Sequence, residues 1–186
     1  MHILITGGGG FIAAWIIKKL IARGDTVRVL DDLSTGHAEN LPADVDLVVG
    51  SVADAECVAG AMDGIEAVFH EGARGSVARS VEDPLTTDTM NTHGTLTVLH
   101  CAQRAGVRRV IYASSSSVYG GATEPPTPET APLVPRSPYA VSKLAGEVYC
   151  RVFAELHEGE LTLESAPERG TTARLWLPAA RVRAIA

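Results

Sequence analysis

Five short runs rich in β-branched residues alternate with longer segments that carry apolar residues at three- and four-residue spacing. That alternation leaves few folds open. Residues 3–5, 27–30, 47–49, 67–69 and 110–112 read as strands, and 11–23, 54–62, 86–105 and 139–156 read as helices. Strand–helix–strand connections are right-handed and generate a parallel sheet covered on both faces. The expectation is one doubly wound α/β domain over residues 1–157. Beyond it, 161–165 and 172–177 read as two strands around Ala-Pro-Glu-Arg-Gly-Thr. Residues 158–186 are therefore expected to form a tail with a β-hairpin where a sixth parallel strand would stand.

Composition narrows the function classes. A chain of 186 residues suits one domain with an appendage, at roughly 150 residues per domain. Its three cysteines, Cys57, Cys101 and Cys150, are scattered, which predicts free thiols and a cytoplasmic location. No histidine pairs with a cysteine or carboxylate at ligand spacing, so no metal is expected. A formal charge of −6 argues against nucleic acid. The longest apolar stretch, 11–17, is far short of the about 20 residues a membrane span needs. Lys18 and Lys19 follow that stretch, which reverses the charge order of a signal peptide. The charge is uneven: residues 1–168 carry 12 basic and 22 acidic side chains, whereas 169–186 carry four arginines and no acid.

The first strand runs into Thr6-Gly7-Gly8-Gly9-Gly10-Phe11-Ile12-Ala13. Gly7 allows a tight turn, Gly10 lets backbone approach a pyrophosphate, and the small Ala13 lets helix and strand pack closely. The helix N-terminus then offers unpaired N–H groups to the phosphates. Glycines alone would serve equally well as a flexible turn in any α/β protein. Asp31, closing the second strand, adds an acceptor for adenosine ribose hydroxyls, and with Asp32 it would repel a 2′-phosphate. That favours NAD over NADP.

Two further segments carry chemistry. The fifth strand ends in Ser114-Ser115-Ser116-Ser117-Val118-Tyr119-Gly120, and after a loop with prolines at 125, 126, 128, 132 and 135 comes Ser137-Pro138-Tyr139-Ala140-Val141-Ser142-Lys143. Tyr139 and Lys143, four apart, share a helix face. A phenol with an ordinary pKa near 10 is a poor base at neutral pH, and a neighbouring ammonium lowers that pKa. The same spacing also arises on ordinary surface helices.

Taken in order, the glycine turn, the acid after the second strand, the serine run and the Tyr139/Lys143 pair resemble the extended short-chain dehydrogenase/reductases with their Rossmann fold. Within these, the chain is most similar to the NAD-dependent nucleotide-sugar epimerases that interconvert UDP-glucose and UDP-galactose. The resemblance also rests on Asp31-Asp-Leu-Ser-Thr-Gly36, Ser80-Val-Glu-Asp-Pro84 and Asn91-x-x-Gly-Thr95, and it covers residues 1 to about 157.

The resemblance implies that Tyr139 is the catalytic base, that Lys143 supports it and holds the nicotinamide ribose, and that Ser115 binds the substrate hydroxyl. Gly7, Gly10, Phe11, Ile12, Asp31, Asp32, Ser51, Val52 and Asn91 fall at its cofactor-binding positions. It further implies a UDP-sugar substrate and a homodimer through 86–105 and 139–156, with Leu96, Leu99 and Val148 in the contact. Dehydratases of the family need an acid–base carboxylate pair where this chain has Ser116 and Ser117, so epimerisation is favoured.

The chain also departs from the pattern. Ala13 stands for a third glycine, and Trp15 is a bulky indole in the first helix. Ser51 takes the place of an aspartate, and Glu71 occupies an apolar position at which Arg74 is the expected partner. The family's substrate lobe has no counterpart after residue 157, which predicts weak turnover. Residues 157–178 are instead similar to the closing hairpin of histidine-kinase ATPase domains. The alternative to an enzyme is a non-catalytic dinucleotide-binding module.

Overall fold

The computed structural model describes residues 1–121, 123–157, 160–166 and 170–176. Five parallel strands form the body of the sheet: β1 (His2–Thr6), β2 (Thr26–Asp31), β3 (Asp46–Val49), β4 (Ala67–His70) and β5 (Arg109–Ala113). The hairpin of β6 (Glu160–Ala166) and β7 (Gly170–Trp176) extends it, with β7 antiparallel to β5. The spatial order is β3-β2-β1-β4-β5-β7-β6. Chain direction reverses its progress between β1 and β4, which makes the switch point where open sheets bind ligands. The hairpin is present as β6 and β7; the end of its second predicted strand, Leu177, and most of the basic stretch 169–186 lie outside the described residues.

Strand alternation sends successive side chains to opposite layers. Ile3 and Ile5 are buried under α1 (Phe11–Ala22) with Ile17, Leu20, Val27 and Val29. Leu4, Leu30 and Val68 face the other side, packed with α2 (Ala55–Ala61), α5 (Gly94–Arg104) and α6 (Pro138–Leu156). Each fully buried aliphatic side chain contributes about 1.5–3 kcal/mol. Ala13 is 1% exposed, small enough for α1 to close on the sheet. Trp15 points outward, with the Lys18 ammonium 5.2 Å from its ring, so the indole costs the core nothing.

Two expectations change. The helix read over 86–105 is three pieces: α4 (Pro84–Asp88), a π-helical turn (Thr89–His93) and α5. A further short helix, α3 (Val77–Glu82), precedes them. Single π turns inside helices often mark functional positions, and this one carries Asn91. Leu99 is fully buried among Val58, Val68 and Val98, so it belongs to the monomer core and cannot serve a dimer contact.

Candidate functional site

A cleft of about 650 Å³ opens at the carboxyl ends of β1, β2 and β4, within the usual size of a small-molecule site. Gly7, Gly10, Asp31, Asp32, Val52 and Glu71 are among its walls. Gly7 has φ +69°, and a Cβ there would stand 2.7 Å from the Cα and N of Gly72. Only glycine fits both constraints. Gly10 is the N-cap residue of α1 and brings no capping side chain, so the first-turn N–H groups stay open to an anion.

Asp31 is nearly buried, and it fixes the turn. Its Oδ2 accepts the Gly9 N–H at 2.9 Å and its Oδ1 accepts the Leu33 N–H at 2.8 Å. The Gly9 carbonyl in turn accepts from His37 N–H and from Asn40 Nδ2. Phe11 and Ile12 are exposed at the start of α1, where their backbone N–H groups, not their side chains, suit phosphate. Ser51 turns its hydroxyl to the Ala53 N–H and to Met90 Sδ at 3.7 Å, while Gly50 and Val52 on either side line the cleft. An uncapped helix N-terminus, a glycine cradle without Cβ atoms and an acid pinned at the end of β2 are the parts a dinucleotide needs, so the residues present fit NAD.

On the far side of β4 lies α6, capped by Ser137 Oγ on the Ala140 N–H and started by Pro138. It crosses the end of β5 closely. Gly146 makes this possible, because a Cβ there would strike the Tyr112 ring. Lys143 is 4% exposed, its Nζ donating to the Ala113 carbonyl at 2.9 Å and lying 6.0 Å from the Tyr139 ring centre. One turn on, the buried Glu147 carboxylate accepts a hydrogen bond from Ser114 Oγ. These two clamps tie α6 to the segment that leads into Ser115, which caps the following 3₁₀ turn and accepts from the N–H and Oγ of Ser117. Tyr139 is half-buried, with no hydrogen bond to its hydroxyl among the described residues.

Burial pulls the Lys143 ammonium down to about 8, opposed by the carboxylate of Glu71. Burial pushes Glu71 up, opposed by Lys143. Arg74 does not partner Glu71 as expected. It pairs instead with Asp83 at 2.6 Å and holds that carboxyl at about 2. Asp83 is the better placed acid because it already caps α4 through the Thr86 N–H.

Asn91 sits behind the cleft wall. Its Oδ1 accepts the Arg74 N–H at 2.7 Å and its Nδ2 donates to Ser142 Oγ at 3.0 Å, one residue from Lys143. A buried chain missed by the sequence reading runs from here to the glycine turn. Thr95 Oγ1 donates to the Asn91 carbonyl at 2.6 Å and therefore accepts from His70 Nε2–H at 3.0 Å. His70 Nδ1 then accepts from Thr6 Oγ1 at 2.7 Å, and that oxygen accepts the Gly72 N–H. The ring is neutral with its proton on Nε2.

Burial pushes His70 down to about 3, and Lys143 adds to the shift. The unfolded chain takes a proton near pH 6.5 that the folded chain refuses. Stability is therefore complete above that pH and lost as pH falls toward 3. Between pH 7 and 5 the group removes about 2 kcal/mol. Urea titrations at both pH values, on the parent and on His70→Gln, read this as a difference in pH slope; equal slopes would refute it.

The model of the NAD dependent epimerase/dehydratase family matches residues 3–163, and the chain belongs to that family. A UDP-glucose 4-epimerase of Mycolicibacterium smegmatis is 41% identical over 165 residues, covering 85% of this chain and 53% of the relative. Among solved structures, the UDP-glucose 4-epimerase of Thermotoga maritima with UDP-glucose superposes with a TM-score of 0.80 at 38% identity, covering 83% of this chain and 52% of that one. That of Thermus thermophilus in complex with NAD gives 0.79, also at 38% identity, covering 83% and 51%. The chain spans about half the length of the curated relatives it matches.

Proposed function

We propose that this chain binds NAD and carries the catalytic groups of a nucleotide-sugar epimerase acting on a UDP-sugar. The observation that carries the reading is the Tyr139/Lys143 pair on one face of α6, with Lys143 held against the end of β5, next to the strand end from which Glu71 enters the cleft that Gly7, Gly10 and Asp31 line. Gly7, Gly10 and the first-turn N–H groups of Phe11 and Ile12 would hold the pyrophosphate, with Val52 and the Ser51 backbone along the adenosine half, and Asp31 and Asp32 would hold the ribose. Bound NAD supplies hydride acceptance from the sugar carbon and its return. The protein's own part is proton transfer and alignment.

In that part, Tyr139 Oη takes the sugar hydroxyl proton. The Lys143 ammonium, held against Ala113, stabilises the phenolate and orients the nicotinamide ribose. Ser115 Oγ donates to the sugar oxygen as charge develops. Asn91 keeps α6 and the Arg74 backbone in place. Neither Ser116 nor Ser117 can act as a carboxylate does, so the intermediate ketone has no partner for elimination, and hydride return is the remaining course.

Calorimetry with both nucleotides tests the cofactor. NAD is expected to bind at least about tenfold tighter than NADP, since a 2′-phosphate would meet Asp31 and Asp32. Equal binding would mean those acids are not at the ribose.

The reading extends to a homodimer in a reducing, cytoplasmic setting, where Cys57, Cys101 and Cys150 remain free. Among the described residues, no helix is long and apolar enough to cross a membrane. Val141, Val148 and Val152 form an exposed apolar stripe at seven- and four-residue spacing on α6, and such a stripe marks a protein contact. Light scattering at tens of micromolar is expected to give a dimer for the parent and a monomer for Val148→Arg.

A further inference from the structure

Glu71 has no part in the proton transfers above, yet it lines the cleft directly after β4, half-buried. No hydrogen bond or close ion pair among the described residues engages its carboxylate, since the nearby Arg74 is committed to Asp83. The charge it feels is the buried ammonium of Lys143. In the sheet, β1 lies between β2 and β4. A dinucleotide whose adenosine half is held by Asp31 at the end of β2 must extend its other half over β4 and β5. His70 is in register with Tyr112, so Glu71 follows β4 beside Ala113, whose carbonyl holds Lys143 Nζ, and Glu71 lines the cleft on that side.

Oxidised nicotinamide carries a positive ring, and the reduced ring is neutral. Everything else in the two nucleotides is the same, so direct contacts to the adenosine half are shared by both forms; Arg74 and Asp83 offset each other as a pair at 2.6 Å, and Arg79 is exposed to solvent. His70, behind the site, is neutral. The preference between the forms therefore reports the field at the ring alone. Lys143 by itself would repel the oxidised ring.

We propose that the Glu71 carboxylate offsets Lys143 and makes the cleft retain NAD in preference to NADH. The inference rests on the dinucleotide reading above and adds a determinant of redox-state selectivity to it.

The test is calorimetric binding of NAD and of NADH, near pH 7.5, to the parent and to Glu71→Gln, Glu71→Leu and Glu71→Asp. The ratio of the two dissociation constants is expected to move toward NADH by roughly tenfold in the Gln and Leu proteins, the order of effect that removing a unit charge from a partly buried site has on another charge about 10 Å away. It should stay within about threefold of the parent in the Asp protein, which keeps the charge. Two uncharged substitutions of different shape guard against a folding artefact in either one. If both nucleotides bind and the ratio is the same in parent, Gln and Leu proteins, the inference is overturned and the dinucleotide reading stands. If the parent binds neither nucleotide, both fall.

Discussion

Tyr139→Phe is expected to lower UDP-glucose/UDP-galactose interconversion by about a thousandfold or more while NAD affinity changes by less than about twofold. The substitution removes one hydroxyl and little else. Nothing among the described residues hydrogen-bonds that hydroxyl, so its loss orphans no buried partner and leaves the fold intact. The ring still packs at the start of α6, whose Ser137 cap and Lys143–Ala113 clamp do not depend on it. On the proposed reading, what goes is the group that takes the proton, and a general base contributes about 10²- to 10⁴-fold. The assay follows both sugars in parent and variant, and NAD titration runs alongside. Turnover that survives the substitution would remove Tyr139 from its role. A parallel collapse of NAD binding would turn it into a structural residue.

Gly7→Ala is the second large effect. The left-handed φ of +69° costs a side-chain residue about 1–2 kcal/mol. The new methyl also meets the backbone of Gly72 at 2.7 Å, and that backbone cannot retreat. Gly72 N–H is bonded to Thr6 Oγ1, and β4 is registered on β1 through Thr6 and His70. Overpacking of this kind costs about 1–3 kcal/mol more. A total near 3 kcal/mol should appear in urea unfolding, together with loss of measurable NAD binding. Gly24→Ala provides the comparison. Its φ is +91° with nothing within 4 Å of the added Cβ, so it should show the conformational cost alone and leave NAD binding unchanged. Equal losses for the two substitutions would refute the crowding argument.

The framework was legible because it rests on local signals. Short continuous β-branched runs locate β1 to β5, apolar residues at three- and four-residue spacing locate the long helices, and the glycine turn follows β1 directly. What sequence could not supply depends on distant partners. His70 ends an apolar strand, and its two hydroxyl partners, Thr6 and Thr95, lie 64 and 25 residues away. Nothing nearby announces that they will meet. Arg74 had two acids in reach, and only the capping geometry of Asp83 decides between them. Leu99 illustrates a different limit: an amphipathic pattern shows that a face is buried, not whether a sheet or a second subunit covers it. The π turn at Thr89–His93 is invisible to periodicity because one extra residue inside a helix shifts the pattern less than ordinary scatter does. Glu71 was visible as an anomaly, but its significance came only from the neighbourhood of Lys143.

The hairpin that closes the sheet has a practical consequence for engineering. β7 runs against β5 with Thr172 opposite Ala113, and Ala166 pairs with Gly170. Both hairpin ends therefore reach the carboxyl edge of β5, beside the serine run. Because those ends are one strand spacing apart, about 5 Å, a segment spliced between them enters and leaves at the same point. Lengthening it is thermodynamically gentle, with each doubling costing about 0.6 kcal/mol in closure entropy. Libraries of inserted loops there could add new recognition surface beside the serine run while every core strand keeps its register. The antiparallel closure thus turns the border of the sheet into a grafting port.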